Sequence, residues 1–410
     1  MSKDHKILPK LRFPEFESDG EFREKSLGYF CDYWNGSGNE SGVTEDGQYL
    51  LISLNSIDIE GNLKSDMKRV PSTDNSLKKG DLVMVLSDVA HGNFLGLSAI
   101  IPDDNYVLNQ RMAGLGIKDF SEIDPKYLRL FINGNQKYFK RQGQGSSQQN
   151  LSKGSVIDFP VLVPTRLIEQ QKIASCLSSL DELIAAHKDK LDALKDHKKG
   201  LLQNLFPQEG ENVPKVRFPE FEEDGEWIET TLEQVADYEN GKAHEKDIDE
   251  NGDYIVVNSK FISTEGETVK YSDTAFCPAN LGDILMVLSD VPNGKAIAKC
   301  FYVDEENRYS VNQRICRITA TDCDSRFLFY IMDRNAYFLS FDDGVKQTNL
   351  RKSDVLEFPF RIPTDPVEQT KIASCLSALD ELITAQQEKI AQLQQHKKGL
   401  MQGLFPKIND

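Results

Sequence analysis

Through two long stretches of this 410-residue chain, apolar positions recur at alternating spacings of four and three. The first series runs Ile173, Leu177, Leu180, Ile184, Leu191, Leu194, with His187 inside it and Lys198 interrupting before Leu201 and Leu205. The second runs Ile372, Leu376, Leu379, Ile383, Ile390, Leu393, with Gln386 and Lys397 at the positions of His187 and Lys198, then Leu400 and Leu404. A repeat of 3.5 residues over about five heptads predicts a long helix that buries one seam against a partner. Some forty residues at 1.5 Å each span roughly 55–60 Å. Asp365 suits the N-cap, with Pro366 at the first helical position and Glu368 completing a capping box. Thr165 after Pro164 gives a weaker version, and Pro207 and Pro406 end the two series.

The rest of the pattern is also written twice. "EQQKIASCLSSLDELI" from Glu169 returns as "EQTKIASCLSALDELI" from Glu368, with fourteen of sixteen residues identical. "PKLRFPEFESDGEF" from Pro9 returns as "PKVRFPEFEEDGEW" from Pro214, and "KKGDLVMVLSDVAHGN" from Lys78 as "NLGDILMVLSDVPNGK" from Asn280. "VLNQR" answers to "SVNQR", "NLSKGSVIDFPVLVPT" to "NLRKSDVLEFPFRIPT", and "HKKGLLQNLFP" to "HKKGLMQGLFP". The order is kept throughout, so the chain is an internal duplication. Short apolar runs after Gly-Asp, and the alternation in "YLLISL" and "YIVVNS", predict strands. "PKYLRLFINGNQKYF" and "SRFLFYIMDRNAYFL" predict one amphipathic helix per half.

The expected fold is therefore α+β, with two tandem mixed α/β domains, each followed by one long helix. The expected bounds are 1–163 and 214–362 for the domains, 164–207 and 363–406 for the helices, and 208–213 for a linker. The obvious partner for each seam is the other copy. Antiparallel pairing would place a domain at each end of a rod and create an approximate two-fold axis. His187, Gln386, Lys198 and Lys397 would either fix register or lie at solvent-exposed seam ends. Cys176 and Cys375 read as small packing residues.

Composition narrows the classes. Apolar residues make up 39% and charged residues 28%, as in soluble globular proteins, and no run approaches eighteen apolar residues, so no membrane span is expected. The N-terminus lacks a signal-peptide core. Seven scattered cysteines without a CxxC pair suggest reduced thiols in the cytoplasm, with neither metal site nor disulfide framework. There is no phosphate-binding GxxxxGK[ST] loop, no Asn/Asp-Pro-Pro-aromatic motif and no His/Cys/Asp cluster, so no catalytic role and no directly bound cofactor is expected. The net charge is −17, and residues 209–253 hold sixteen acidic against four basic residues, a solvated face or linker.

Two related but divergent heads on a spacer suit recognition of two things a fixed distance apart. DNA half-sites are the natural case, because major-groove faces recur every ~34 Å. Residues shared by the heads then build the fold or touch phosphate, and those that differ in corresponding loops are the candidate base readers. The FPEF opening, the Gly-Asp strand, the NQR segment, the "NLSK…FP…P" approach, the "EQQKIASCLSSLDELI" helix and the "GLLQNLFP" ending together resemble the specificity (S) subunits of type I restriction-modification systems. The resemblance covers essentially the whole chain, in both copies. It implies two target-recognition domains that each read half of a bipartite double-stranded DNA target, and helices that set the gap. It further implies two modification (M) methyltransferase subunits docked on the helices and carrying S-adenosylmethionine, with restriction (R) motor-nuclease subunits in the same assembly.

The candidate DNA-binding residues of the first head are Asn35, Ser37, Asn39, Asn55, His91, Asn93, Gln144, Ser146, Ser147, Gln148 and Gln149. Those of the second are Lys242, His244, Lys260, Asn293, Lys295, Lys346, Gln347 and Thr348. Asn and Gln can pair with adenine and Lys with guanine, while the plainer reading makes these loops exposed turns. Arg111, Arg314, Lys153 and Lys352 are shared, which favours phosphate contact or an internal ion pair over base reading. Asn109, Gln110, Asn312 and Gln313 are expected to satisfy buried backbone groups. Asp88 and Asp290 read as turn formers. Two alternatives stay open: an S-like adaptor for a methyltransferase in a non-restricting defence system, and a two-headed coiled-coil scaffold that binds proteins.

Overall fold

The computed structural model describes residues 7–71, 77–89, 92–291 and 294–408. Two compact units emerge, one formed by Met1–Lys188 with Glu388–Asp410, the other by Asp189–Gln387. Each unit thus owns the first half of its own long helix and receives the last part of the other.

In the first unit the central sheet is antiparallel, in the order Cys31–Asn35, Met112–Ile117, Leu82–Val85, Ser98–Ile100. Leu82, Val83, Met84 and Val85 are all buried because the sheet is covered on both faces. Leu82 and Met84 join one core with Leu115, Phe131 and Phe159, and Val83 and Val85 join another with Ile52, Ile57 and Met112. A second sheet, Arg69–Val70, Tyr49–Ile52, Tyr106–Leu108, contains one parallel pair. The Gly-Asp signature before the central strand is a turn lock: the Asp81 carboxylate accepts from the Lys78 amide at 2.8 Å, and Asp283 accepts from Asn280 at 2.7 Å.

The second unit repeats the plan in the order Ala236–Asn240, Ile315–Ala320, Ile284–Val287, Cys300–Tyr302. One replacement on the sheet surface shows how the copies diverged. Trp34 lies so close over Gly114 that a Cβ there would sit 2.2 Å from its ring. At the matching positions the second unit has Glu239 and Arg317, ion-paired at 2.6 Å.

The long helices span Leu167–Asn204 and Pro366–Leu404. Asp365 caps the second, its carboxylate accepting from the Val367 amide at 2.8 Å. The expected capping box does not form, because Glu368 turns inward to Arg217. That contact explains why RFPEF and EQxK recur together. Arg217 and Glu368 make a two-pronged pair at 2.8 and 2.7 Å, and Arg12 and Glu169 do the same at 2.7 and 2.8 Å, with both glutamate side chains fully buried. The next residue, Gln170 or Gln369, accepts from the backbone amide of Asp124 or Asp324, the N-cap of the domain helix. The lysine two positions on, Lys172 or Lys371, pairs with Glu15 or Glu220 of the FPEF segment.

Within the first unit, Lys397 pairs with Asp181, while Leu400, Met401 and Leu404 join the core that contains Ile173 and Leu177. Within the second, Lys198 Nζ lies 2.5 Å from Asp380, and Leu201 and Leu205 join the core of Ile372 and Leu376. In both, rising number on one helix meets falling number on the other, so the segments run in opposite directions. The lysines that interrupt the heptads are therefore ion-pair partners. Of the seam residues, Ile173, Leu177, Ile184, Ile372, Leu376, Leu379, Ile390 and Leu393 are buried, and Leu180, Leu191, Leu194 and Ile383 are half-buried.

Candidate nucleic-acid interface

The NQR segments form the turn into the central sheet, and their arginines carry the strain. Arg111 has φ 68° and Arg314 φ 71°, a left-handed conformation that non-glycine residues seldom adopt. Their carbonyls accept from the Leu86 and Leu288 amides at 2.9 and 2.8 Å, which fixes the turn and leaves both side chains exposed. Among the described residues neither guanidinium has an ion-pair partner.

Close approach sets the neighbouring loops. Gly36 and Gly241 follow the edge strand, and a Cβ on either would meet a carbonyl, that of Asn109 at 2.0 Å or Asn312 at 2.1 Å. The buried Asn109 side chain accepts from the Asn39 amide and donates to Glu40, while Asn312 accepts from the Gln313 amide. Before the glycine, Tyr33 donates to Asn35 Oδ1 at 2.5 Å, and Tyr238 donates to Asn240 Oδ1 at 2.6 Å. Lys153 and Lys352 lie over those two tyrosine rings, at 5.7 and 5.4 Å. Burial raises both phenol pKa values, so the hydroxyls stay protonated donors. Loop composition alone does not single out Tyr33, Tyr238 or Asn240. The repeated Tyr-x-Asn spacing, which puts both side chains on one face of a strand, was the available signal.

Asp88 and Asp290 are turn formers. Asp88 accepts from the Val89 and Phe94 amides at 2.8 Å each, and Asp290 from Val291 at 2.8 Å and Ala296 at 2.7 Å. The loops so folded present Asn93, whose Oδ1 accepts from Lys140 at 3.0 Å, and the exposed Lys295. His91 and Asn293 lie outside the described residues. Asn55, Lys260, Lys242, Lys346, Ser37, Gln144, Ser146 and Ser147 are exposed, while Asn39 and Gln149 are half-buried. Gln148 and Gln347 each donate to a serine hydroxyl, Ser87 at 2.5 Å and Ser289 at 2.7 Å.

Two candidates point the wrong way for DNA contact. His244 is 0% exposed, with Nδ1 2.7 Å from the Lys242 carbonyl and Nε2 2.8 Å from Ser310 Oγ, so both ring nitrogens serve the loop that carries Lys242. Thr348 is 6% exposed and donates to Asp342 at 2.8 Å. Residue type in a polar loop does not tell an inward side chain from an outward one. Among the described residues no cluster could hold a metal ion, and no helix is long and apolar enough to cross a membrane.

Comparison with known proteins agrees with this duplicated surface. The family model for the type I restriction modification DNA specificity domain matches residues 64–196 and again 224–395. The type I restriction enzyme MjaVIII specificity subunit of Methanocaldococcus jannaschii is 23% identical, over 97% of this chain and 94% of its own length. The putative type I restriction enzyme MjaX specificity subunit of the same organism is 25% identical over 68% of this chain and 67% of its own. In fold, the chain is similar to the S subunit of a type I restriction-modification system from M. genitalium, with a TM-score of 0.65 at 15% identity, covering 98% of this chain and 100% of that one. With the family domain matched once in each half of the duplication and over most of the chain, this protein belongs to the type I restriction modification DNA specificity family and is a specificity subunit.

Proposed function

We propose that each unit reads one half of a bipartite duplex target, and that the long helices set the unspecified gap and dock two modification subunits. The observation that carries this reading is the pair Arg111 and Arg314: exposed, strained, repeated, and flanked by loops whose residues differ between copies. A strained backbone that aims a cation outward is what a phosphate anchor needs, and differing loops beside it are what two different half-sites need. S-adenosylmethionine is expected on the modification subunits, with motor-nuclease subunits completing the assembly for cleavage. The docking face for the modification subunits is assigned to the outer side of the helices, where Ile168 and Leu183, and their repeats Val367 and Leu382, stay exposed at 52%, 44%, 62% and 54%.

The test is modification-sensitive long-read sequencing of DNA from cells that carry this gene with a partner methyltransferase gene, against cells lacking only this one. A split motif that vanishes without the gene supports the reading; an active methyltransferase whose pattern does not change sinks it and favours the protein scaffold. Replacing Leu183 and Leu382 by aspartate is expected to abolish co-purification with the modification subunit while the melting temperature stays put. Undiminished co-purification would remove the docking assignment. Arg111→Ala and Arg314→Ala are each expected to weaken binding of the assembled complex about equally on all sequences and to reduce the slope of log K against log salt by about one. The net charge of −17 makes partner subunits the expected source of the remaining phosphate neutralisation. Equal salt slopes with and without the partner would contradict that.

A further inference from the structure

Residues shared by the two units need not be silent about sequence, because a shared residue can read a base pair that both half-sites contain. One shared pair has the chemistry for it. In the first unit Gln148 is the antiparallel partner of Val89, and in the second the register Ser289↔Asn349, Asp290↔Thr348 brings Gln347 opposite Val291. Directly opposed side chains share a face of the ribbon, as does the serine two residues before each valine. The glutamines are held by those serines: Gln148 Nε2 donates to Ser87 Oγ at 2.5 Å and Gln347 Nε2 to Ser289 Oγ at 2.7 Å. In the second unit Asn349 Oδ1, 3.4 Å from Gln347 Nε2, fixes the same amide orientation. Each amide nitrogen is thus engaged within its own unit, which leaves the Oε1 as the group to accept from a ligand. The valines beside them are exposed at 65% and 64%, nearly equal values for two apolar side chains.

An oriented acceptor next to an aliphatic tip matches the major-groove edge of an A·T pair, where adenine presents an N6 amino donor and thymine a C5 methyl group. G·C offers an amino donor on cytosine and no methyl. Resting on the proposal that the units read DNA, we infer that Val89 with Gln148, and Val291 with Gln347, each read one A·T pair, so that the two half-sites share an A·T pair at equivalent positions.

The experiment uses the assembled modification complex and duplexes of its own target in which single thymines are replaced by deoxyuridine, which removes only the methyl group. One sensitive thymine per half is expected, with a loss of about fourfold in affinity, the worth of one methyl taken out of water. Val89→Ala should erase that sensitivity in the first half alone and Val291→Ala in the second alone. Both valines are exposed, so neither variant threatens folding. Specific binding with no uracil-sensitive thymine, or sensitivities that survive the valine changes, would overturn the inference while leaving DNA recognition intact. A complex with no sequence preference at all would instead remove the proposed function beneath it.

Discussion

Arg12→Met is expected to destabilise the first unit by about 3–5 kcal/mol, because it strands the Glu169 carboxylate, fully buried, without its two-pronged partner. For a unit of this size that is a fall of roughly 6–20 °C in melting temperature. The duplication supplies its own control. Arg217→Met should lower the transition of the second unit by a similar amount, by stranding Glu368. Replacing both members of a pair by methionine should restore most of the loss, since an apolar pair leaves no buried charge unmatched. Scanning calorimetry of the single and double variants measures this. A single variant that melts like the parent would show that water reaches the glutamate and that the pair is not the keystone of the EQxK motif.

Gly36→Ala is expected to weaken discrimination in one half of the target and leave the other half unchanged, with Gly241→Ala doing the reverse. An added Cβ would lie 2.0 or 2.1 Å from a carbonyl, a distance only backbone movement relieves, at a cost of about 1–3 kcal/mol. The fold can absorb that, but the loop after the edge strand cannot keep its place, and with it go Ser37 and Asn39, or Lys242. Binding of the assembled complex to duplexes mismatched in one half or the other is the measurement, and a loss of at least about tenfold is expected for the affected half, the worth of a displaced base contact. Unchanged discrimination in both variants would place the base readers elsewhere.

The sequence was most legible where it was periodic or repeated. Heptads gave both long helices, and the duplication gave two equivalent units, because burying a seam forces a spacing and a duplicated fold keeps the residues that build it. The pairing Arg12 with Glu169 was not legible. The two residues lie 157 positions apart, and sequence shows only that both motifs recur. Glu368 was misassigned to a capping box because a local partner was available on paper, whereas the guanidinium of Arg217 offers a stronger, charge-assisted bond. His244 and Thr348 failed for a related reason, since loop polarity does not report which way a side chain points. Arg111 and Arg314 gave no sign in sequence of their left-handed backbone. What marked them was that two divergent units kept the same NQR.

The exchange of helix ends has a consequence for how the protein is made. The core of the first unit includes Leu404 and Phe405, with Phe405 against Tyr127 and Phe131 at 5.3 and 5.6 Å between ring centroids. A chain emerging from the ribosome in order completes its second unit first, because Asp189–Gln387 is continuous. The first unit stays open until Leu404 and Phe405 have followed. A premature stop between Gln387 and Leu404 would thus spare the second unit and cripple the first, because the N-terminal unit needs residues that are translated after its neighbour is already complete.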